Sequence, residues 1–429
     1  MSAPTTYAVC TFGCRVNQAD SLRFEGELRA AGARAAPPEQ ADVVLINTCS
    51  VTATADQGAR QTIRRVARLN PAARIVATGC YATRCGQEVA AFPGVVRVVP
   101  NQQKDRLVDI LGSEIELTTA ERFGAGDGAC GAPLEPGVGG RTAFTLRLQT
   151  GCAEQCAYCI IPSTRGVPRS LPPDEVLDRV RRAMDAGYKA FSLTGVHLGS
   201  YGRDLLPRTD LTTMLGRLAA EAGHHDVLYR LSSIEPMDCD VDIVDLVASS
   251  RCFAPHFHLP LQHASDSLLR AMRRPYGLAR YSRLVSRIRA LLPGAAIGTD
   301  LIAGFPGETD ADLQTTIEYL DSSPLTYLHV FPYSDRPGTV ASRMARRVAR
   351  GAVRERARQL RAMGRTLAAR FRLSQAGSVR RALTLDGERT VVTDNYFTLT
   401  VDHRRGRNQW VQVKLTPSDE GLVGTLVPA

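Results

Sequence analysis

The sequence predicts an α/β fold in three parts: an N-terminal parallel α/β domain, a central incomplete (β/α)6 barrel and a C-terminal small β-barrel. Three observations predict it. Short apolar runs alternate with helical stretches over residues 6 to about 117, the alternation resumes over residues 142 to about 371, and a two-residue strand alternation follows over residues 375–429. The first two rhythms belong to parallel sheets wrapped by helices, the third to an antiparallel barrel.

Residues 7–11, 43–46 and 75–78 are short apolar runs that read as buried strands, with an arginine-rich helical stretch at 55–69 between the second and third. Residues 124–140 are rich in Gly and Pro and read as a linker. Candidate barrel strands are 144–148, 190–193, 228–231, 256–259, 297–301 and 327–331, with helical patterns at 174–186, 211–222, 240–249, 281–292 and 311–320. Six such units fall short of the eight of a closed barrel. A basic helix, 350–372, leads away, and strand patterns at 391–392, 397–401 and 410–415 end the chain. The expected boundaries are 1–123, a linker at 124–141, 142–372 and 373–429.

Composition narrows the function. The formal charge is +10, and only Lys104, Lys189 and Lys414 are lysines, so nearly all the basic charge is arginine. A basic balance suits a nucleic-acid partner, or equally a solvated surface. No apolar run is long enough to span a bilayer, and residues 1–6 lack the features of a secretory leader. Eleven cysteines in an unexported chain argue for metal binding in a reducing cytoplasm, and an odd number cannot all be paired.

The sharpest motif is Gly151-Cys152-Ala153-Glu154-Gln155-Cys156-Ala157-Tyr158-Cys159, which directly follows the first barrel strand. Three thiolates on one loop can hold three irons of a cubane and leave the fourth open to a ligand. Zinc is the competing metal, but a structural zinc site closes with a fourth ligand at similar spacing, and the next histidine is His197. Cys14, Cys49 and Cys80 are far apart in sequence, yet each follows a predicted strand. Loops after adjacent parallel strands gather on one edge, so the three thiols can converge on a second metal centre; buried structural cysteines are the alternative. Gly13 and Gly79 permit tight turns before two of them. Cys10 reads as core, Cys130 lies in the linker, and Cys85, Cys239 and Cys252 receive no role.

Loops after the other barrel strands carry Thr194 and Gly195, Ser233 and Glu235, Gln262, and the run Gly304 to Glu308. Glycines admit backbone close to a ligand or simply make turns, while Glu235 and Gln262 can bond a ribose or an amino group. His258 on an apolar strand reads as a satisfied core histidine. In the last part Arg404, Arg405 and Arg407 form a basic cluster suited to phosphate, and Tyr396, Phe397 and Trp410 can stack on bases or fill the core.

With Tyr158 before its last cysteine, the Cys152–Cys159 motif resembles the signature of the radical S-adenosylmethionine superfamily. That resemblance implies that the open iron chelates S-adenosylmethionine, with Tyr158, Thr194, Gly195, Ser233, Glu235 and Gln262 lining its site. Thr11 to Gln18, Asn47 to Thr52 and Gly79-Cys80 resemble the N-terminal domain of the methylthiotransferases, whose three cysteines hold a second four-iron cluster. The likeness spans nearly the whole chain and implies two [4Fe–4S] clusters. Leu193 to Gly202, together with Gly13 to Gln18 and Cys49 to Thr52, resembles the branch acting on N6-threonylcarbamoyladenosine in transfer RNA. His263-Ala264-Ser265-Asp266 departs from the family's usual Ser-Gly-Ser-Asp, with Ala264 in place of a glycine. The end of the chain resembles a TRAM domain. The resemblance thus implies methylthiolation of an adenosine beside the anticodon, with the tRNA anticodon loop and a flavodoxin-like electron donor as partners and neither DNA nor membrane. The alternatives are N6-isopentenyladenosine, a ribosomal protein, or a non-catalytic iron–sulfur RNA-binding sensor.

Overall fold

A computed structural model describes residues 5–112, 142–385, 389–418 and 421–428; the expected linker and Cys130 lie outside these. The chain opens with β1 (Thr6–Thr11), α1 (Arg15–Ala30), β2 (Arg34–Ala35), β3 (Val43–Thr48), α2 (Ala53–Leu69) and β4 (Arg74–Gly79). It continues with α3 (Cys80–Arg84), α4 (Gly86–Ala90), β5 (Val95–Val99) and α5 (Leu107–Gly112). The five strands are parallel in the order β2-β1-β3-β4-β5. β3 is buried along its whole length because α2 covers one face through Ala59, Ile63 and Val66, while α1 and α5 cover the other through Phe24, Leu28 and Leu107. Thr52 caps α2 by accepting the Ala55 N–H at 3.2 Å.

α1 is absent from the sequence reading for a physical reason. Its buried residues include Asn17, Asp20 and Ser21, so the helix has no clean apolar stripe. That polar face meets the next part of the chain, because α1 packs on the first barrel strands as well as on its own sheet.

The barrel starts with β6 (Ala143–Thr150), α6 (Ile161–Arg165), β7 (Arg169–Ser170), α7 (Pro173–Asp185), β8 (Ala190–Gly195), α8 (Leu211–Ala222) and β9 (Leu228–Leu231). Then come α9 (Val241–Ser249), β10 (His256–His258), α10 (Asp266–Ala271), α11 (Leu278–Leu291), β11 (Ala296–Ala303), α12 (Asp310–Ser322), β12 (Tyr327–Pro332) and α13 (Arg350–Ser374). β6, β8 and β9 run parallel, as do β10, β11 and β12. Two isolated parallel bridges, Tyr229 to Phe253 and Ser233 to His258, join the two sets into a six-stranded arc. Among the described residues no pairing joins β12 back to β6, so the barrel is open. Alternate residues face the helices (Leu146, Phe191, Leu193, Tyr229) and the interior (Arg147, Ser192, Arg230).

The remaining strands, β13 (Val379–Thr384), β14 (Thr390–Thr393), β15 (Thr398–Thr400), β16 (Trp410–Ser418) and β17 (Gly421–Val427), form an antiparallel sheet in the order β15-β14-β13-β16-β17. A bridge from Val401 to Gly424 brings its edges together around Ala382, Val391, Leu399, Val413 and Leu415. Trp410 docks this small barrel on the large one: its indole N–H donates to Asp226 O at 2.7 Å, and Arg381 lies 3.6 Å over the ring. Arg381 also pairs with Asp226 at 2.5 Å. Tyr396 likewise faces the large barrel, 4.0 Å from the Arg230 guanidinium, and Phe397 packs on Phe371 of α13. Trp410 is the only tryptophan, so its fluorescence reports the docking. Arg381→Ala removes the cation over the ring, a contact of about 0.5–1 kcal/mol. Its emission maximum is expected to move to longer wavelength; unchanged emission would show that this corner does not hold the two barrels together.

Candidate active site

Each of the six motif cysteines lies in or beside a segment that follows the carboxyl end of a parallel strand. Cys14 follows β1 and is the N-cap residue of α1, Cys49 follows β3, and Cys80 opens α3 directly after β4. The strand order reverses between β1 and β3, where the crevice of an open parallel sheet binds ligands. Gly13 and Gly79 turn the chain there with φ of +88° and +94°. A Cβ on Gly13 would lie 2.5 Å from both Cβ and Sγ of Cys49, and one on Gly79 would lie 2.2 Å from Thr48 O. Both positions therefore require glycine.

The charges around this trio favour a bound cation–thiolate centre. Burial pushes the Cys49 thiol up to about 12, and the neighbouring Cys14 and Cys80 push it further in the same direction. At Cys80 burial also raises the thiol, but Arg165 and Lys104 outweigh it and leave it below its ordinary range. Asn101 Nδ2 lies 3.6 Å from Cys80 Sγ. Two buried thiols, Cys49 and Cys80, and the exposed Cys14 repel one another as thiolates, and with cations and an N–H donor behind them they are a donor set suited to an iron–sulfur cluster.

The second trio follows β6. Gly151 has φ +78°, and a Cβ there would lie 2.0 Å from Val167 O. The loop is pinned by the Ala157 N–H donating to Met272 O at 2.9 Å and by the Ala341 N–H donating to Ala157 O at 2.7 Å. Cys152 Sγ accepts from the Glu154 N–H at 3.4 Å, Cys159 Sγ from the Ile161 N–H at 3.5 Å, and Cys156 Sγ from Arg274 Nη1 at 3.3 Å. His197 Nδ1 lies 3.7 Å from Cys152 Sγ, and its other nitrogen is held by Asp238 at 2.6 Å. Burial pushes Cys159 up to about 12, with Cys156 and Cys152 adding to it. These N–H···S contacts are the kind that tune cluster thiolates. None of the six cysteines is in a disulfide.

Other residues marked out by the sequence take varied places. Tyr158 packs against an apolar group that includes Leu268, Met272 and Phe305. Thr194 is buried, and Gly195 sits against Leu198 and the Gln149 side chain. Ser233 is exposed at the barrel mouth. Gln262 is buried with φ +70°, its N–H donating to Asp300 O and its carbonyl accepting from Ile302. Glu235 is ion-paired to Arg274, so its first task is to orient the guanidinium on Cys156. His258 is satisfied, by Asp300 at 2.9 Å and Tyr327 at 3.1 Å. Arg404, Arg405 and Arg407 lie on the exposed turn between β15 and β16, on a different unit from the cysteines.

Sequence reasoning missed the polar residues that tie the two trios together. Arg165 ends the helix after Cys159, and its guanidinium donates to Asn17 Oδ1 at 2.5 Å and to Thr150 Oγ1 at 3.2 Å. Asn101 Nδ2, beside Cys80, also donates to Thr164 O at 2.9 Å. Lys104, fully buried, pairs with Asp20 at 2.7 Å and donates to Asn47 Oδ1 at 2.9 Å. One signal was available: Lys104 is a rare lysine in a chain that otherwise uses arginine.

Residues 6–100 match the model described as uncharacterized protein family UPF0004, and residues 146–320 match that of the radical SAM superfamily. The chain is 34% identical over 397 residues to the threonylcarbamoyladenosine tRNA methylthiotransferase MtaB of Bacillus subtilis, covering 91% of this chain and 87% of the relative. It is 32% identical to the tRNA-2-methylthio-N(6)-dimethylallyladenosine synthase of Paenarthrobacter aurescens, covering 87% and 73%. The fold also resembles that of TsrM, a radical S-adenosylmethionine methyltransferase from Kitasatospora setae, with a TM-score of 0.57 at 15% identity over 79% of this chain and 77% of that one. The chain belongs to the radical S-adenosylmethionine tRNA methylthiotransferase family.

Proposed function

We propose that this enzyme converts N6-threonylcarbamoyladenosine at position 37 of transfer RNA to its 2-methylthio derivative. The carrying observation is that Asn101 bridges the neighbourhoods of the two cysteine trios: its Nδ2 lies 3.6 Å from Cys80 Sγ and donates at 2.9 Å to the carbonyl of Thr164, five residues beyond Cys159. Sulfur held at one trio and a radical made at the other must meet on the same base, and this contact supports that requirement.

Cys14, Cys49 and Cys80 would hold one [4Fe–4S] cluster, and Cys152, Cys156 and Cys159 the other. When bound, the clusters and S-adenosylmethionine supply sulfur transfer and hydrogen abstraction. The chain's own residues position and shield. Arg274 and Glu235 orient Cys156, His197 and Asp238 flank Cys152, and Tyr158 excludes water from the loop. Thr194, Gly195, Ser233 and Gln262 would line the site of S-adenosylmethionine. Arg404, Arg405 and Arg407 would contact phosphates on either side of an anticodon-loop base, which is already unpaired and costs little to splay out. A radical route suits the unactivated aromatic C–H bond at C2. We further propose a flavodoxin-like electron donor, a cytoplasmic setting, and functional units at residues 1–123, 142–372 and 373–429. Among the described residues no helix is long and apolar enough to cross a membrane.

The likeness to the dimethylallyladenosine synthase keeps one second reading, N6-isopentenyladenosine, in view. Mass spectrometry of transfer RNA nucleosides from a strain lacking the gene separates the two. Loss of 2-methylthio-N6-threonylcarbamoyladenosine, restored by complementation, is the expected result; loss of the isopentenyl counterpart would overturn the assignment. A non-catalytic sensor would release no 5′-deoxyadenosine from S-adenosylmethionine when reduced.

A further inference from the structure

The barrel interior holds a row of polar side chains that neither cysteine trio uses. His329 and His258 both bond Asp300, at 3.3 and 2.9 Å. His258 reaches Tyr327 OH at 3.1 Å, and Tyr327 OH reaches His256 Nε2 at 2.9 Å. Beside His256 lies Arg230, its Nε and Nη2 3.5 and 3.4 Å from the two ring nitrogens and the Tyr396 ring 4.0 Å from the guanidinium. Arg230 is 9% exposed.

Arg230 is the unbalanced member. Among the described residues no carboxylate pairs with it, and Asp300, the acid of the row, is engaged by two histidines. Burial and the nearby arginine hold His256 well below its ordinary range, so the contact with Arg230 is to a neutral ring. Arg15 of α1 adds a second positive charge on the same side, acting on His256, Tyr327 and Tyr396, with its Nη1 3.5 Å from Ser192 Oγ. A buried guanidinium without a counter-ion is costly unless a ligand brings one. The mouth begins at Ser232 and Ser233, two to three residues along the strand, about 7–10 Å at the usual rise.

We propose that Arg230, stacked on Tyr396 and flanked by His256 and Arg15, is the seat for the threonyl carboxylate of N6-threonylcarbamoyladenosine. The inference rests on the substrate reading given above. That nucleoside and its isopentenyl counterpart share the base to be modified and differ in whether the N6 substituent ends in a carboxylate. The planar fork of arginine matches a carboxylate with two parallel hydrogen bonds. An apolar isopentenyl group would leave the buried charge unpaired, so the same residue accepts one substrate and rejects the other.

The test uses the reconstituted full-length enzyme and synthetic anticodon stem–loops carrying N6-threonylcarbamoyladenosine as the free acid, as its methyl ester, or N6-isopentenyladenosine. Wild type is expected to bind the acid about tenfold or more tighter than the ester, the scale of a charge-assisted hydrogen bond. Arg230→Gln should bind both within about twofold, and Arg230→Lys, which keeps the charge but loses the fork, should cut the ratio several-fold. If the glutamine variant yields no folded, iron-loaded protein, the lysine variant decides. A wild-type ratio unchanged in the variants, or no preference in a wild type that does methylthiolate the acid, overturns the assignment of Arg230 alone. Methylthiolation by wild type of the isopentenyl stem–loop and not of the acid overturns the substrate reading and the carboxylate seat with it.

Discussion

Replacing Asp20 with alanine is expected to lower the unfolding free energy by about 3–5 kcal/mol, the usual cost of removing one partner from a buried ion cluster. Asp20 is 1% exposed and stands among Lys104 at 2.7 Å, Arg147 in direct contact and Arg165 at 3.8 Å. Arg147 retains Asp105 at 2.7 Å, but Lys104 and Arg165 would be left without a carboxylate. Because Asp20 and Lys104 belong to the N-terminal domain and Arg147 and Arg165 to the barrel, the loss also loosens the joint that sets one cysteine trio against the other. Burial alone would raise the Asp20 carboxyl, but Lys104, Arg147 and Arg165 together hold it far below its ordinary range. A carboxyl depressed in the folded state stabilises above its unfolded value, about 3.9, and that stability fades as pH falls toward the folded value. Denaturant unfolding should therefore show a gap between wild type and Asp20→Asn that is constant above about pH 5 and shrinks below about pH 4. A gap that widened on acidification would mean the folded carboxyl carries a proton.

Gly79→Ala and Gly151→Ala should each destroy one metal site. A left-handed alanine costs about 1–2 kcal/mol by itself. The added Cβ would also meet backbone, Thr48 O at 2.2 Å or Val167 O at 2.0 Å, with no flexible side chain able to yield. Overpacking of this kind adds about 1–3 kcal/mol. The displaced segment carries the next residue, Cys80 or Cys152, away from its trio. Loss of roughly half the bound iron is expected in each variant after anaerobic reconstitution, from a different centre in each. Full iron in either would show that the glycine before the cysteine does not set the loop.

The strands were legible where burial is apolar. The stretch 75–78 lies inside β4, because a strand covered on both faces reads as a nearly continuous apolar run, and 228–231 coincides with β9 even though Arg230 interrupts its apolar residues. α1 was not legible because the face it buries includes Asn17, Asp20 and Ser21, which meet Lys104 within the domain and Arg147 and Arg165 across the domain joint rather than fill a core. β13 was missed because adjacent Arg380 and Arg381 break the alternation; both reach partners on the large barrel, at Gly294 and Asp226. The cysteines themselves were legible from spacing and from the strands they follow. Their supporting groups were not: Arg274 reaches Cys156 from more than a hundred residues away, and nothing in its local sequence marks that contact. Glu235 was singled out as a polar group at the mouth, but its partner became visible only in three dimensions. Trp410 illustrates the same limit, since an aromatic residue in a small barrel suits base stacking, core packing or docking alike until its neighbours are known.

Anaerobic reconstitution of wild type, Cys80→Ala and Cys156→Ala, read by Mössbauer spectroscopy and iron content, tests the two-centre architecture most directly. Wild type should hold about eight irons in two cubanes, and each variant about four, from opposite centres. Zinc in place of iron, or one substitution emptying both sites, would contradict it.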